Sequence, residues 1–340
     1  MAILVTGGLG YIGSHTVVEL LNNGFEVVIV DDLSNSEKFI LKNIEEVAGK
    51  KPVFYPFDLK RRELLTQVFD AHQIDGCINF AAFKAVGESQ IKPVDYYENN
   101  LFLLINILQE FKNREISNFI FSSSCTVYGQ ADQMPIDENT PLKMPESVYG
   151  KTKQMGEEIL IDFAKAYNRK ISLLRYFNPI GAHPSAKLGE LPVGIPNNLV
   201  PYVMQTAAGI REKLNIWGND YPTEDGTAVR DYIYVVDLAK AHVAALKRLI
   251  NEESGEAMID IYNLGTGKGS SVLEVVKAFE KANNVEIPYQ ICDRREGDIT
   301  VAYANVDKAE KELNWKSETS LEEALKTVWE WQKYLDSRNV

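Results

Sequence analysis

Short apolar runs recur along the first half of the chain, separated by longer stretches whose apolar residues return every three or four positions. The runs predict strands at 2–6, 26–31, 52–56, 76–81, 118–122 and 171–176. The stretches between predict helices near 12–23, 37–47, 61–72, 93–112 and 149–168. So regular a β-α alternation reads as an α/β fold with a doubly wound parallel (Rossmann) sheet, whose ligand crevice lies at the C-terminal ends of the strands. After Phe177 the texture changes. Pro179, Pro184, Pro192, Pro196 and Pro201 crowd into a winding connection. Beyond it, helices are expected near 197–209, 236–250, 271–283, 306–313 and 320–335, with strands near 213–217 and 259–264. The expected division is a nucleotide-binding domain, 1–177, and a smaller C-terminal α/β substrate lobe, 178–340, some of whose elements are free to rejoin the first sheet. No internal repeat or low-complexity tract interrupts the pattern.

The first strand leads directly into chemistry. Ile3-Leu4-Val5-Thr6-Gly7-Gly8-Leu9-Gly10-Tyr11-Ile12-Gly13 is an apolar strand, a glycine turn and a helix start. Gly7 and Gly10 let the backbone turn tightly and approach a pyrophosphate, Gly13 lets the helix pack close, and the helix N–H groups face the anion. The spacing G-x-x-G-x-x-G varies the commoner fingerprint. The next apolar run, Val27–Val30, ends on Asp31, where a carboxylate accepts adenosine ribose hydroxyls and repels a 2′-phosphate, favouring NAD over NADP. The bland reading is a tight strand-to-helix turn without a ligand.

Composition narrows the partners. The chain has 340 residues, 45% hydrophobic and 25% charged, with 48 acids against 36 bases for a formal charge of −12. That balance argues against nucleic acid or an anionic membrane as the main partner. No apolar run approaches the ~18 residues that span a bilayer. The N-terminus enters a strand without a basic segment or cleavage site. Cys77, Cys125 and Cys292 are odd in number and scattered, and His15, His72, His183 and His242 have no metal-ligand spacing. A cytoplasmic protein with no metal is expected.

Tyr149-Gly150-Lys151-Thr152-Lys153 places a phenol and an ammonium one helical turn apart. A free phenol has a pKa of about 10, and using it as a base near neutrality means lowering that by roughly three, or about 4 kcal/mol. One ammonium ~4 Å away at an effective dielectric of ~20 supplies about that much. A positive nicotinamide ring would add to it. Phe119-Ile120-Phe121-Ser122-Ser123-Ser124 ends a strand on three hydroxyls, and Ser124 is the candidate to hydrogen-bond the reacting oxygen. Serines also cap and turn chains routinely. Isolated, a Y-x-x-x-K is an exposed helix pair; behind a dinucleotide fingerprint it completes a Ser-Tyr-Lys set.

These pieces together resemble the extended short-chain dehydrogenase/reductase family. The runs Lys84–Ser89, Leu174–Pro179, Ile195–Leu199, Gly218–Thr227, Arg230–Ile233 and Arg294–Asp298 are similar to those of the UDP-glucose 4-epimerase family, and the likeness covers nearly the whole chain. It implies that Tyr11, Ile12, Asp31, Asn35, Ser36, Asp58, Leu59, Lys84 and Asn99 hold NAD, with Asp58 at the adenine. Phe80, Ala81, Ala82 and Phe83 would line the groove, and Phe177 would pack near the nicotinamide. Tyr149 would be the base, Lys153 its electrostatic partner and Ser124 the relay. Asn178, Asn198, Leu199, Trp217, Arg230, Arg295 and Asp298 would grip UDP, with Lys84, Ser124, Thr126, Tyr149 and Ala302 also facing the substrate. The implied reaction interconverts UDP-galactose and UDP-glucose by hydride transfer at C4, in a homodimer built on helices 93–112 (with Leu101, Leu104, Ile105 and Leu108) and 149–168.

The arginines also follow from charge alone, since a diphosphate on so acidic a chain needs guanidinium forks. Arg230 beside Asp231 and Arg294-Arg295 beside Glu296 have surface salt bridges as the blander alternative. Two positions depart from the family pattern. Ala302, four past Asp298, stands where some members restricted to plain hexoses carry tyrosine, so UDP-N-acetylglucosamine and UDP-N-acetylgalactosamine are expected as further substrates; a shift of one residue to Tyr303 would reverse this. Tyr234 replaces a frequent histidine, with little expected effect. Gly265-Thr266-Gly267-Lys268-Gly269 lacks P-loop spacing and reads as a turn, and Trp329, Trp331 and Tyr334 read as core. The alternatives are a nucleotide-sugar 4,6-dehydratase, which needs an acid pair where Cys125-Thr126 stand, and a non-catalytic NAD-sensing protein, which needs neither Tyr149 nor Lys153.

Overall fold

Alternate side chains of each strand enter two different cores. In the computed structural model, which describes residues 1–295 and 298–338, the chain begins with β1 (Ala2–Thr6), α1 (Tyr11–Asn22), β2 (Glu26–Val30), α2 (Phe39–Ala48), β3 (Val53–Tyr55) and α3 (Arg62–Ala71). It continues through β4 (Ile74–Asn79), α4 (Val86–Ile91), α5 (Pro93–Arg114), β5 (Asn118–Ser124), α6 (Val148–Tyr167) and β6 (Lys170–Tyr176). Ile3, Val5, Ile29, Ile78 and Ile120 face a core shared with α1. Ala2, Leu4, Val28, Cys77 and Phe119 face the opposite core, filled by α3, α5 and α6 through Phe69, Phe111 and Leu160. Covered on both faces, β1 is apolar at every position but Thr6, as a parallel sheet requires.

The second half adds β7 (Asn178–Ile180), α7 (Leu199–Ala207), β8 (Leu214–Trp217), β9 (Val229–Arg230), β10 (Tyr232–Tyr234) and α8 (Val235–Asn251). Then come β11 (Met258–Leu264), β12 (Ser270–Ser271), α9 (Val272–Asn283), β13 (Tyr289–Cys292), β14 (Val301–Ala302), α10 (Asp307–Leu313) and α11 (Leu321–Arg338). Seven parallel strands run in the order β11-β6-β5-β4-β1-β2-β3. The chain reverses direction across the sheet between β1 and β4, so the loops after these two strands diverge and leave a crevice. β11 pairs in parallel with β6 from Met258–Lys170 to Leu264–Tyr176, so the first sheet borrows its edge from the second half. The remaining strands form small separate ribbons, β10 with β7, β8 with β13, and β9 between β12 and β14.

The pattern foresaw every long element. It missed α4, the four-residue β13 and the two- and three-residue strands other than β3, because so few residues carry no period; long-range pairing alone makes them. Glu296, Gly297 and the last two residues of the expected 178–340 lobe lie outside the described residues.

Candidate active site at the switch point

Three close backbone approaches shape the crevice beside β1. Gly7 takes φ +66°, and its N–H donates to the Val30 carbonyl at 2.9 Å. A side chain on Gly7 would sit 2.8 Å from the Ala81 nitrogen, at the end of β4, and one on Gly13 would sit 2.2 Å from the Gly7 carbonyl oxygen. Glycine at both positions lets the turn pass between β4 and α1. No acidic side chain stands in the first turn of α1 and none caps it. The N–H groups of Tyr11, Ile12 and Gly13 therefore remain free to receive an anion, as the first turn of any helix does. Asp31 is buried at the rim and accepts from the Leu9 N–H at 3.0 Å, the Leu33 N–H at 3.0 Å and the Ser36 hydroxyl at 2.8 Å. A carboxylate has about four lone-pair sites, so one remains for a ribose hydroxyl. The cradle and the acid together fit a dinucleotide.

The other candidate cofactor contacts spread along the same rim. Asp58 turns the chain after β3 by accepting from the Lys60 N–H at 2.8 Å, and Leu59 beside it is buried. Asn35 is exposed. Phe80, Ala81, Ala82 and Phe83 are half-buried after β4, and Phe80 packs against His242 with ring centres 4.9 Å apart. Asn99 is buried on α5 and donates to Asn100, which fixes the Phe83 backbone.

Ser124 ends β5, two strands from β1, and its hydroxyl accepts from the Thr126 N–H at 3.2 Å and hydroxyl at 3.0 Å. Ser147 caps α6 by accepting from the Gly150 N–H at 3.1 Å, which sets the first turn carrying Tyr149. Burial pushes the Tyr149 phenol up to about 12, against a hydrogen bond with Ser124 that pulls it down. Lys153 is buried, donates to the Ser122 carbonyl at 2.6 Å and hydroxyl at 3.2 Å, and lies 5.8 Å from the Tyr149 ring centre. Burial pushes its ammonium down to about 7, with the Glu157 carboxylate pulling it back. This corrects the sequence-based expectation: the lysine alone does not bring the phenol towards neutrality. Desolvation favours the neutral form of both groups, and the phenolate needs a further cation.

The candidate substrate contacts lie along the second half. Arg230 on β9 stands 3.9 Å from Asp298, and Arg295 reaches the same carboxylate at 3.0 and 3.3 Å. The structure thus gathers Arg230 and Arg295 around one acid, Asp298. Asp231 is not the partner of Arg230. It is buried and accepts from the Thr266 N–H and hydroxyl, the Gly267 N–H and the Ala304 N–H. The glycine loop 265–269 therefore wraps a carboxylate of its own chain. Arg294 turns away to Asp220 and stacks 4.1 Å over Tyr221. Glu296 lies outside the described residues.

Asn178 begins β7, Leu199 begins α7, and Trp217 ends β8 with its ring partly exposed. Ala302 on β14 pairs with Arg230 and shares a buried cluster with Phe177, Val127 and Tyr128, whereas Tyr303 packs beside Gly269. Trp331 is buried, stacks on Tyr334, and donates to the Glu190 carbonyl.

Two groups escaped sequence reasoning. The Glu190 carboxylate accepts from Lys84 at 3.1 Å and Asn198 at 2.9 Å, and a lone acid in a proline-rich connection gave no sign of it. Glu157 pairs with Arg175 below Lys153. Its spacing of four from Lys153 on the same helix face was a usable signal.

A family model described as GDP-mannose 4,6 dehydratase matches residues 4–328. The chain is 52% identical over 336 residues to the UDP-glucose 4-epimerase of Bacillus subtilis, covering 98% of this chain and 97% of that one. A crystal structure of UDP-glucose 4-epimerase from Bifidobacterium longum in complex with NAD+ and UDP is 46% identical, with a TM-score of 0.94 over 98% of both chains. A UDP-glucose 4-epimerase from Stenotrophomonas maltophila, with bound NAD and formylated UDP-arabinopyranose, is 44% identical and has a TM-score of 0.96 over the whole of both. With identity near one half along its full length, and the fingerprint and Ser-Tyr-Lys set in place, the chain belongs to the UDP-glucose 4-epimerase family of extended short-chain dehydrogenase/reductases.

Proposed function

We propose that this enzyme interconverts UDP-galactose and UDP-glucose at sugar C4, using a tightly held NAD and Tyr149 as the base. The observation that supports this reading is Ser124 at the end of β5, in the same sheet as the glycine turn after β1, hydrogen-bonded to Tyr149 on α6 one turn before Lys153, with Arg230 and Arg295 meeting Asp298 on the chain's second half. NAD, when bound, supplies a hydride acceptor and donor, and its cationic ring adds the positive field that the phenol needs. Gly7, Gly10, Gly13, Tyr11 and Ile12 would hold its diphosphate, and Asp31 a ribose.

Tyr149 Oη takes the proton of the 4-hydroxyl and returns it once the sugar has turned over. Ser124 Oγ hydrogen-bonds the same oxygen, and Lys153 keeps the phenolate electrostatically favourable. Arg230 and Arg295 hold the diphosphate, assisted by Asn178, Asn198, Leu199 and Trp217 around the nucleoside. Their firm grip on UDP, with few contacts to the hexose, lets the ring present either face. Ala302, small and beside Phe177, leaves space for a 2-acetamido group, which supports UDP-N-acetylglucosamine and UDP-N-acetylgalactosamine as additional substrates.

The proposed division is 1–177 for the dinucleotide and 178–340 for the UDP-sugar, β11 being the strand lent to the first sheet. We place the enzyme in the cytoplasm as a homodimer. Exposed Phe102 and Ile105 on α5 and Met155 on α6 support that pairing, whereas Leu104 and Leu108 are spent on the core. Among the described residues no helix is long and apolar enough to cross a membrane.

Incubation with UDP-galactose, followed by proton NMR, tests the reading. Appearance of UDP-glucose supports it. A 4-keto-6-deoxy product would support the dehydratase reading suggested by the family model's description, and an unchanged substrate a binding protein. The missing acid pair at Cys125-Thr126 weighs against dehydration.

A further inference from the structure

Glu157 and Arg175 form an ion pair that the reaction itself does not use. Both are almost fully buried, and the guanidinium grips the carboxylate by two bonds, Nε to Oε1 at 2.9 Å and Nη2 to Oε2 at 2.6 Å. Burying such a pair rarely stabilises a fold more than apolar residues of similar size would. Its neighbours indicate another role. The Ser123 hydroxyl donates to Glu157 Oε1 at 2.5 Å, immediately before Ser124. Arg175 Nη1 donates to the Tyr128 oxygen at 2.9 Å, in the 3-10 turn Cys125–Tyr128 that holds Thr126. Tyr128 in turn donates to Asn263 on β11 at 2.7 Å, and Asn263 donates to the Ile136 carbonyl at 2.9 Å. One pair thus ties together the end of β5, the turn after it, α6, β6 and β11. The end of β5, the turn after it and α6 carry Ser124, Thr126, Tyr149 and Lys153, and β6 leads directly into Phe177.

We propose that the Glu157–Arg175 pair is a positioning device for the Ser124–Tyr149–Lys153 set: it locks the end of β5 against α6, and its carboxylate keeps the buried Lys153 charged. The proposal deepens the reading given above and rests on it. Glu157 lies one helical turn beyond Lys153, whose Nζ has no carboxylate among its hydrogen-bond acceptors. The groups in contact with that ammonium are Tyr149 from α6 and Phe121 and Ser122 from β5, with Glu157 one turn further along α6; from β6, Arg175 meets Glu157 and Tyr176 meets Ser122. Cys125 and, from α5, Tyr96 complete the surroundings of the Tyr149 phenol. Only Glu157 in this set brings a negative charge at neutral pH, so it opposes the burial that disfavours the ammonium.

The test compares wild type, Glu157→Gln and Glu157→Asp as holoenzymes. Loss of the carboxylate, with Arg175 left positive, moves the alkaline limb of the kcat profile to lower pH by about one unit. The charge-retaining Glu157→Asp keeps the wild-type limb even where its melting temperature falls as far. If Glu157→Gln folds poorly, Glu157→Gln/Arg175→Gln removes both charges and leaves two amides able to pair; its limb moves the same way by less. A readout independent of turnover is the ¹⁵N resonance of Lys153 Nζ, assigned by its loss in Lys153→Arg, whose titration follows the same shift. Coincident limbs and Nζ titrations in wild type and the glutamine variants would overturn the proposal, as would equal shifts in the aspartate and glutamine variants. An inactive wild type would refute the functional reading instead, and the Nζ titration would still judge the pair.

Discussion

Lys153 Nζ stands 5.8 Å from the centre of the Tyr149 ring, yet its hydrogen bonds go to Ser122 on β5. The lysine is thereby fastened beneath the strand end as a fixed charge. It does not donate to the phenol in this arrangement, and its influence on Tyr149 is that of a field. Burial works against both charged forms, raising the phenol and lowering the ammonium. A cationic ligand ring beside the pair would tip the balance towards the phenolate. On the proposed reading, proton transfer at Tyr149 is coupled to cofactor occupancy.

Tyr149→Phe removes the proton acceptor and keeps the ring. General acid–base groups contribute about 10²- to 10⁴-fold, so kcat should fall by that factor. NAD content, read from absorbance after denaturation, should stay at the wild-type level. A variant within a few-fold of wild-type kcat would remove Tyr149 from the mechanism.

Gly13→Ala tests the cradle. The added methyl would meet the Gly7 carbonyl oxygen at 2.2 Å, a backbone atom that cannot swing aside. Overpacking of this kind costs about 1–3 kcal/mol. Both a lower melting temperature and reduced NAD retention are expected, whereas Gly24→Ala, at a left-handed position with open space around it, should lose stability without losing NAD. Full NAD retention in Gly13→Ala would contradict the proposed diphosphate site.

Ala302→Tyr asks whether the sugar's 2-substituent sits against Ala302, which shares a buried cluster with Phe177. Turnover of UDP-N-acetylgalactosamine should drop at least tenfold relative to UDP-galactose, since one misfitted group in a pocket is worth about 1–3 kcal/mol. The measurement is the ratio of kcat/KM for the two sugars. An unchanged ratio would place the acetamido group elsewhere.

Acid should weaken the fold through two histidines. Burial lowers His15 and His242 from 6.5 to about 4. Between those values the unfolded chain binds the protons and the folded chain does not, so stability falls as pH drops from about 6.5 towards 4. His242 Nε2 lies 2.8 Å from the Tyr176 hydroxyl, a bond that His242→Gln can replace without titrating. Melting temperatures at pH 7 and pH 5 should show the gap between wild type and this variant narrowing in acid. A gap that stays constant would mean His242 titrates alike in both states.

Most of the Rossmann layering was legible because its information is local. Short apolar runs such as Ile3–Val5, bounded by turn residues, read as strands buried on both faces, and the helices between them lead to parallel pairing. The glycine spacing and Asp31 named the ligand class for the same reason, since a tight turn and a helix start are made by neighbouring residues. Tyr149 and Lys153 could be paired from sequence because a helix brings residues four apart together.

The amino-acid sequence by itself determined the repeating elements, the glycine turn after β1 and the Tyr149–Lys153 spacing. Tertiary structure alone decided that β11 completes the first sheet and that Arg230 meets Asp298, while its neighbour Asp231 is enclosed by the 265–269 loop. It also decided that Glu190 clasps Lys84 and Asn198, and that burial raises the Tyr149 phenol against its hydrogen bond with Ser124. The physical reason is range. Backbone periodicity acts over a few residues, whereas charge pairing and desolvation depend on which distant segments pack together.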